Sequence, residues 1–298
     1  MNTTPNRQSE TLQESELVLN DDCSVYHLHL KPEHIADTVL LVGDQGRVEQ
    51  ICAKFDTIEF SIQNREFYTQ TGSFNGKRIT VMSTGIGTDN IDIAINELDA
   101  AVNIDLVNRS IKPEITSLNL IRIGTCGALQ PDVPVDSFAI SSYGIGFDGL
   151  LNFYEHSKTE NESQIQTDFI DFYKNNGHEI DVYVSEGNKE LIAMLEPGMI
   201  KGITATANGF YGPQGRVLRL KAQIPDQNEL LRDFRSGESR IINFEMETSG
   251  LYGIGSLLGH NCCTVCAVIA NRFSKTYSED YKLTVDKLID TVLDKLTV

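Results

Sequence analysis

Cysteine, positive charge and long apolar runs are all scarce in this chain, and each shortage removes a class of explanation. Six cysteines (Cys23, Cys52, Cys126, Cys262, Cys263 and Cys266) in 298 residues do not make a disulfide framework. Cys263 and Cys266 have the CxxC spacing, but they lie in CCTVCAVIA, which reads as a buried strand. Side chains three apart on a strand point to opposite faces, so core thiols are expected and no metal site. Lys plus Arg number 25 against 42 Asp plus Glu, a net charge of −17. Such a surface repels phosphate backbones and anionic lipid, so neither nucleic acid nor a membrane is an expected partner. A small anion held by a local arginine cluster stays open. No apolar run approaches the roughly 18 residues of a membrane span, and the first twenty residues lack the apolar core of a secretory signal. A cytoplasmic protein is expected.

What is present is an ordinary globular composition, 40% hydrophobic and 22% charged, enough for a substantial core. Residues 1 to about 20 are polar and read as a flexible tail. Beyond them strand and helix patterns alternate. TVLLVG (38–43), RITVMSTGI (78–86), LIRIG (120–124), SFAIS (137–141), GITATA (202–207) and TVCAVIA (264–270) read as strands. RVEQICAKF (47–55) reads as a helix, as does a segment with Ile91, Ile95, Leu98 and Val102 on one face, capped by Asp89 or Asn90. Residues 155–180 form a polar surface excursion or helix. A helix is expected over about 244–258, and Val285, Leu288, Ile289, Val292, Leu293 and Leu296 keep helical period at the end. The alternation predicts one α/β domain, without a linker after residue 25 or an internal repeat.

Gly85 and Gly87 begin a GxGxxG pattern after a strand, but Asn90 stands where its last Gly belongs, so a dinucleotide site is not supported. More telling are arginines near the ends of predicted strands: Arg47 in GDQGRV, Arg122 in RIGTCGA and Arg272 in VIANRF. Ligands of open α/β sheets bind at those ends. Arg122 lies within an apolar strand, where an unpaired cation is costly and an anionic partner is implied. Singly, each arginine reads first as a salt bridge to an abundant carboxylate, and Phe210 and Met246 as core. His27 and His29 could be half of a metal site without a third ligand, and Glu247 could complement a helix dipole. Glu245 and Glu247, two apart on a helix, would face different ways.

Eight motifs in order, VYHLHL (25–30), GDQGRV (43–48), NREF (64–67), STGIG (83–87), RIGTCGA (122–128), GFYGPQGR (209–216), NFEMET (243–248) and VIANR (268–272), make the chain resemble the nucleoside phosphorylase family, in its uridine phosphorylase branch. The resemblance spans about residues 24–295. It implies a single α/β domain (23–298, after a 1–22 tail) built on a mixed, partly closed β-sheet flanked by helices. It also implies phosphate held by Gly43, Arg47, Arg122 and Thr125, with Arg65 from a neighbouring subunit. Met246 would pack on the ribose and Glu247 hold its hydroxyls, with His27 meeting the 5′-hydroxyl across an interface. Phe210, Gln214 and Arg216 would bind a pyrimidine base, supported by Arg272. Arg122, Thr125 and Arg216 would carry the chemistry. A dimer is then the smallest working unit, and bacterial relatives suggest a hexamer of three dimers.

These residue types suit phosphorolysis of an N-glycosidic bond. Arginines position phosphate for attack at the anomeric carbon, Glu247 can accept from a cis-diol, and Gln214 matches the adjacent N–H and carbonyl of uracil. Arg216 can stabilise the departing uracil anion, so no general acid is required. The chain departs from the family in several places. Gln45 and Gly46 replace the Pro and Asp of GDPDRV, which suggests a looser turn, and the order of Pro213 relative to its flanking Gly is swapped. Bacterial relatives hold a monovalent cation between subunits through the Glu of REF and a Ser. Here Glu66 is kept and Asn90 replaces the Ser, which leaves that cation open, and no other cofactor is implied. Residues 103–119 read as an insertion. Purine-specific relatives carry an Asp after the last core strand to protonate N7, where this chain has Ala270-Asn271-Arg272. A purine phosphorylase or nucleosidase is the alternative enzyme, and a non-catalytic nucleoside sensor the alternative of another class.

Overall fold

Thr38–Val42 is buried at every position, as a strand covered on both faces must be, and it forms β1 of a computed structural model that describes residues 11–297. The chain divides into two compact units, Met1–Gly85 with Asp92–Asn119, and Ile86–Ile91 with Leu120–Val298.

In the first unit α1 (Gln45–Cys52) follows β1, and an antiparallel meander of β2 (Thr57–Asn64), β3 (Phe67–Phe74) and β4 (Lys77–Ser83) follows α1. β4 returns parallel to β1, with Val39 opposite Thr80, giving the order β1-β4-β3-β2. β2, at the edge, is mostly exposed and rich in polar residues. α2 (Thr88–Asn103) buries Ile91, Ile95 and Leu98 completely, as their spacing predicts. It starts at Thr88, so Asp89 and Asn90 lie inside the helix and do not cap it. The 103–119 stretch contains a small hairpin, β5 (Ile104–Asp105) with β6 (Ser110–Ile111). Of the expected tail, residues 1–10 lie outside the described residues. From Leu12 the chain is held: Leu17 is buried, Leu19 bridges Val25, and the Arg109 guanidinium donates to the Leu17 carbonyl.

The second unit holds β7 (Asn119–Ala128, from Leu120), β8 (Phe138–Gly146), α3 (Glu160–Asn175), β9 (Tyr183–Glu186), α4 (Lys189–Leu195), β10 (Ile200–Thr206), α5 (Gln227–Asp233), β11 (Arg235–Ser236), β12 (Ser239–Glu245), α6 (Thr248–Leu257), β13 (Asn261–Asn271), β14 (Thr276–Tyr277) and α7 (Tyr281–Leu296). Strands run in the order β11-β12-β10-β8-β13-β7, with β8, β10 and β12 parallel and β13 antiparallel to β8. β12 also pairs with β7, Asn243 opposite Ala128, so five strands close on themselves. This is the mixed, partly closed sheet that was expected, and the fold is α/β with helices against it. The 155–180 stretch is mainly α3. Thr159 and Glu162 form its capping box, and Phe169 packs 4.6 Å from Tyr173 and 4.9 Å from Phe234, ring centre to ring centre. α7 buries all six residues of its predicted apolar face. The expected 244–258 helix begins only at Thr248, because Phe244 and Glu245 still pair as strand with β10.

Candidate active site

Three clusters carry the predicted site residues. The most buried lies in the second unit. Arg122 on β7 is 6% exposed and Glu247, the residue capping α6, 4% exposed. The guanidinium Nη2 donates to Glu247 Oε2 in a short bond, and Nη1 lies 3.2 Å from Glu245 Oε2. The same Nη1 is 3.5 Å from the Cys266 thiol. A Cβ on Gly124 would come within 2.3 Å of Nη1, so only glycine lets the arginine fold back along its own strand. Burial opposes the Arg122 cation, but Glu247 and then Glu245 outweigh it and push its proton affinity up. Glu245 is shifted upward, burial exceeding the opposing pull of Arg122.

The anions that Arg122 requires are therefore the chain's own carboxylates. Glu245 and Glu247 do not diverge as two helical residues would, because Glu245 ends β12 and Glu247 precedes the first turn of α6. Both reach Arg122. Glu245 also accepts from the Thr206 hydroxyl (2.7 Å) and from the backbone N–H groups of Glu247 and Thr248 (2.9 Å each), tying strand end to helix start. Glu247 Oε1 takes the Gly87 N–H at 2.8 Å, and Gly87 sits at φ +94°, where glycine is at ease. Thr125 and Met246 are half-buried nearby in sequence and make no side-chain hydrogen bond among the described residues.

The second cluster, in the same unit, gathers all four predicted base-binding residues. The Arg216 guanidinium lies 3.7 Å over the Phe210 ring, a cation–π contact. Its Nη1 donates to the Phe210 carbonyl at 2.5 Å and to Gln214 Oε1 at 2.7 Å. Arg272 Nη2 approaches the same Gln214 oxygen at 3.4 Å, and Arg272 Nε is buried without a hydrogen-bond partner. Burial, and then the charge of Arg272, lowers the Arg216 pKa to about 10. Arg272 is lowered too, by burial. Gln214 is buried in a short 3₁₀ turn (Gly212–Gln214) and Phe210 is 50% exposed. Beside them opens a cavity of about 750 Å³ lined by Tyr211, Pro213, Leu218, Leu220 and Ile224.

The third cluster is in the first unit. Gly43 turns the chain from β1 towards α1, and a Cβ there would stand 3.3 Å from the Gly85 carbonyl, so two glycine turns meet closely. Asp44 caps α1 by accepting from the Gly46 N–H, and Arg47 lies in the helix's first turn. Gln45 does not loosen this turn. Its side chain donates to the Arg65 carbonyl (2.6 Å) and accepts from Gln63 (2.9 Å), binding it to the β2–β3 turn. Arg65 is exposed there at φ +55°. The neighbouring Asn64 donates to the His27 carbonyl at 2.8 Å, and the His27 ring nitrogen Nδ1 is 2.6 Å from Glu97 Oε1. His27 and His29 are not joined by a third ligand: the described residues hold no group of three or more His, Cys, Asp or Glu able to bind a metal. Sequence reasoning set Glu245 aside by placing it on a helix, and it missed Glu97. The apolar run Ile241-Ile242 ahead of it was the signal that Glu245 ends a strand, whereas Glu97 was one acid among many on α2.

The model of the phosphorylase superfamily matches residues 37–294. The chain belongs to that superfamily. One family model thus runs through both units, consistent with the α/β fold expected. Among proteins of this superfamily, the chain is 31% identical to a uridine phosphorylase of Thermococcus kodakarensis, over 85% of this chain and 80% of that one. It is 26% identical to a DeoD-type purine nucleoside phosphorylase of Bacillus cereus, over 90% and 97%. A solved nucleoside phosphorylase of Trypanosoma brucei, described as showing uridine phosphorylase activity, superposes with a TM-score of 0.84 at 27% identity, covering 94% of this chain and 99% of its own. Among the described residues no helix is long and apolar enough to cross a membrane.

Proposed function

We propose that this superfamily member is a pentosyltransferase that converts uridine and phosphate reversibly to uracil and ribose 1-phosphate, in nucleoside salvage or catabolism. The observation that carries the pyrimidine reading is the placement of Gln214 Oε1 between Arg216 and Arg272. With its oxygen facing both guanidiniums, the Gln214 amide keeps its NH₂ to donate to a uracil carbonyl, and Arg216 is set to take the charge of a departing uracil anion. Asn271 supports it. Its Nδ2 donates to the carbonyls of Gln130 and Val133 at 2.8 Å each, and its Oδ1 accepts from Phe273 and Ser274, so it closes a loop and offers no acid to N7.

In this reading Glu247 grips the ribose diol through the lone pairs that Arg122 and Gly87 leave over, with Met246 against the sugar. Arg122 and Thr125 bind phosphate in the second unit, and Gly43 and Arg47 are the residues of the first unit given the same role by the resemblance. Arg122 then links the nucleophile to the carboxylate that holds the sugar. Arg65 and His27 act across a subunit interface, which makes a dimer the minimum and a hexamer of dimers the fuller assembly.

The test is base release from uridine and from inosine, each with and without phosphate. Phosphate-dependent release of uracil alone is expected. Release from inosine would keep the phosphate and ribose assignments and transfer the enzyme to the purine class, to which its DeoD-type relatives belong. Release from neither would leave a nucleosidase for another substrate or a binding protein.

A further inference from the structure

We propose that Glu97 is the positioning residue that sets the His27 imidazole for the sugar 5′-hydroxyl. The inference rests on the phosphorylase reading above, in which His27 meets the ribose across a subunit interface.

The carboxylate of Glu97, on α2, serves three donors of one turn. Its Oε2 accepts the backbone N–H groups of His27 (2.8 Å) and Leu28 (2.9 Å), and its Oε1 lies 2.6 Å from His27 Nδ1. A carboxylate this close to the main-chain donors accepts and does not donate, so the ring nitrogen facing it carries the proton. The neutral imidazole is then the tautomer with a bare Nε2, which is an acceptor, and a sugar hydroxyl supplies the O–H that such an acceptor needs. Backbone and ring are fixed together, because the acid that orients the imidazole also holds the peptide it hangs from. The Asn64 side chain secures the same residue from the other side through the His27 carbonyl. Tyr26, edge-on with ring centres 4.9 Å apart, limits rotation of the ring. His27 and Glu97 side chains are 29% and 17% exposed, so the pair is shielded while the ring keeps an open edge.

Glutamine cannot replace Glu97 in this role. An amide has one acceptor oxygen where the carboxylate serves donors with both, and its NH₂ would face an N–H. The experiment compares kcat/KM for uridine with that for 5′-deoxyuridine in the wild type, His27→Ala and Glu97→Gln, with assembly and thermal stability checked for each. Both variants are expected to lower the uridine preference about tenfold, the size of one hydrogen bond. A folded, assembled Glu97→Gln that keeps the wild-type ratio while His27→Ala loses it would overturn the proposal. If His27→Ala also keeps the ratio, the assignment of His27 to the ribose fails and takes the proposal with it. If the wild type releases no base with phosphate, it is the phosphorylase reading that has failed. Nitrogen-15 spectra of histidine-labelled wild type give a second measure that does not depend on a variant folding. A protonated Nδ1 and bare Nε2 are expected for His27, and the opposite tautomer would overturn the proposal.

Discussion

Arg122 and Glu247, 125 residues apart in the chain, share a buried charge-assisted hydrogen bond, and the second oxygen of Glu247 is held by the Gly87 N–H. One carboxylate thus joins a strand arginine to a glycine turn and begins a helix. The pair also ties stability to the proposed chemistry, since neither partner can be removed without stranding a charge.

Replacing Arg122 by Met should therefore act twice. With Glu245 and Glu247 left buried beside no cation, unfolding free energy is expected to fall by about 3–5 kcal/mol, as for other broken buried pairs. In the protein that remains folded, base release should lose its phosphate dependence. Denaturant titration and the phosphate KM check the two halves, and an unchanged phosphate KM would remove Arg122 from the anion site.

Glu247→Gln keeps the shape and halves the acceptor capacity. The preference for uridine over 2′-deoxyuridine should shrink about tenfold. Paired kinetic measurements on the two nucleosides decide it, and a preserved ratio would mean that another group holds the 2′-hydroxyl.

Gln214→Ala withdraws the oxygen shared by Arg216 and Arg272. Uridine KM should rise about tenfold or more, while ribose 1-phosphate binding changes little. Equal losses for both ligands would show that Gln214 supports the site without reading the base.

The segment leading to His27 should loosen in acid. The Ser24 hydroxyl and N–H, with Lys31, lower the Asp22 pKa from 3.8 to about 2. A depressed carboxylate pKa contributes stability that is complete above the unfolded value and lost as pH falls through the folded one. Protection of the Ser24 amide from hydrogen exchange should therefore decline between about pH 4 and 2. Asp22→Asn should show the weaker protection already at neutral pH.

Much of this was legible from residue order. The 3.6-residue period of Val285 to Leu296 and of Ile91 to Leu98 marked helices that bury those faces. The run Thr38–Val42 marked a covered strand. The β2–β3 hairpin went unread although Ile58, Phe60 and Ile62 alternate with polar residues, and because β2 lies at an edge that alternation buries little: Ile58 is exposed and Phe60 and Ile62 are only half-buried. Residues 12–20 look like free tail by composition, yet one buried leucine and a distant arginine hold them.

By itself the sequence determined the α/β class, the family, and the residues that make an anion site and a base site plausible, because periodicity and ordered motifs are local properties of a chain. Only the tertiary structure decided who pairs with whom. Glu245 and Glu247 share Arg122 because a strand ends and a helix starts between them, and Gln45 secures Arg65 because two turns meet. Glu97 reaches His27 across 70 residues of chain. Such pairings follow from desolvation and geometry in three dimensions, where a buried charge must find its partner wherever the fold has placed one.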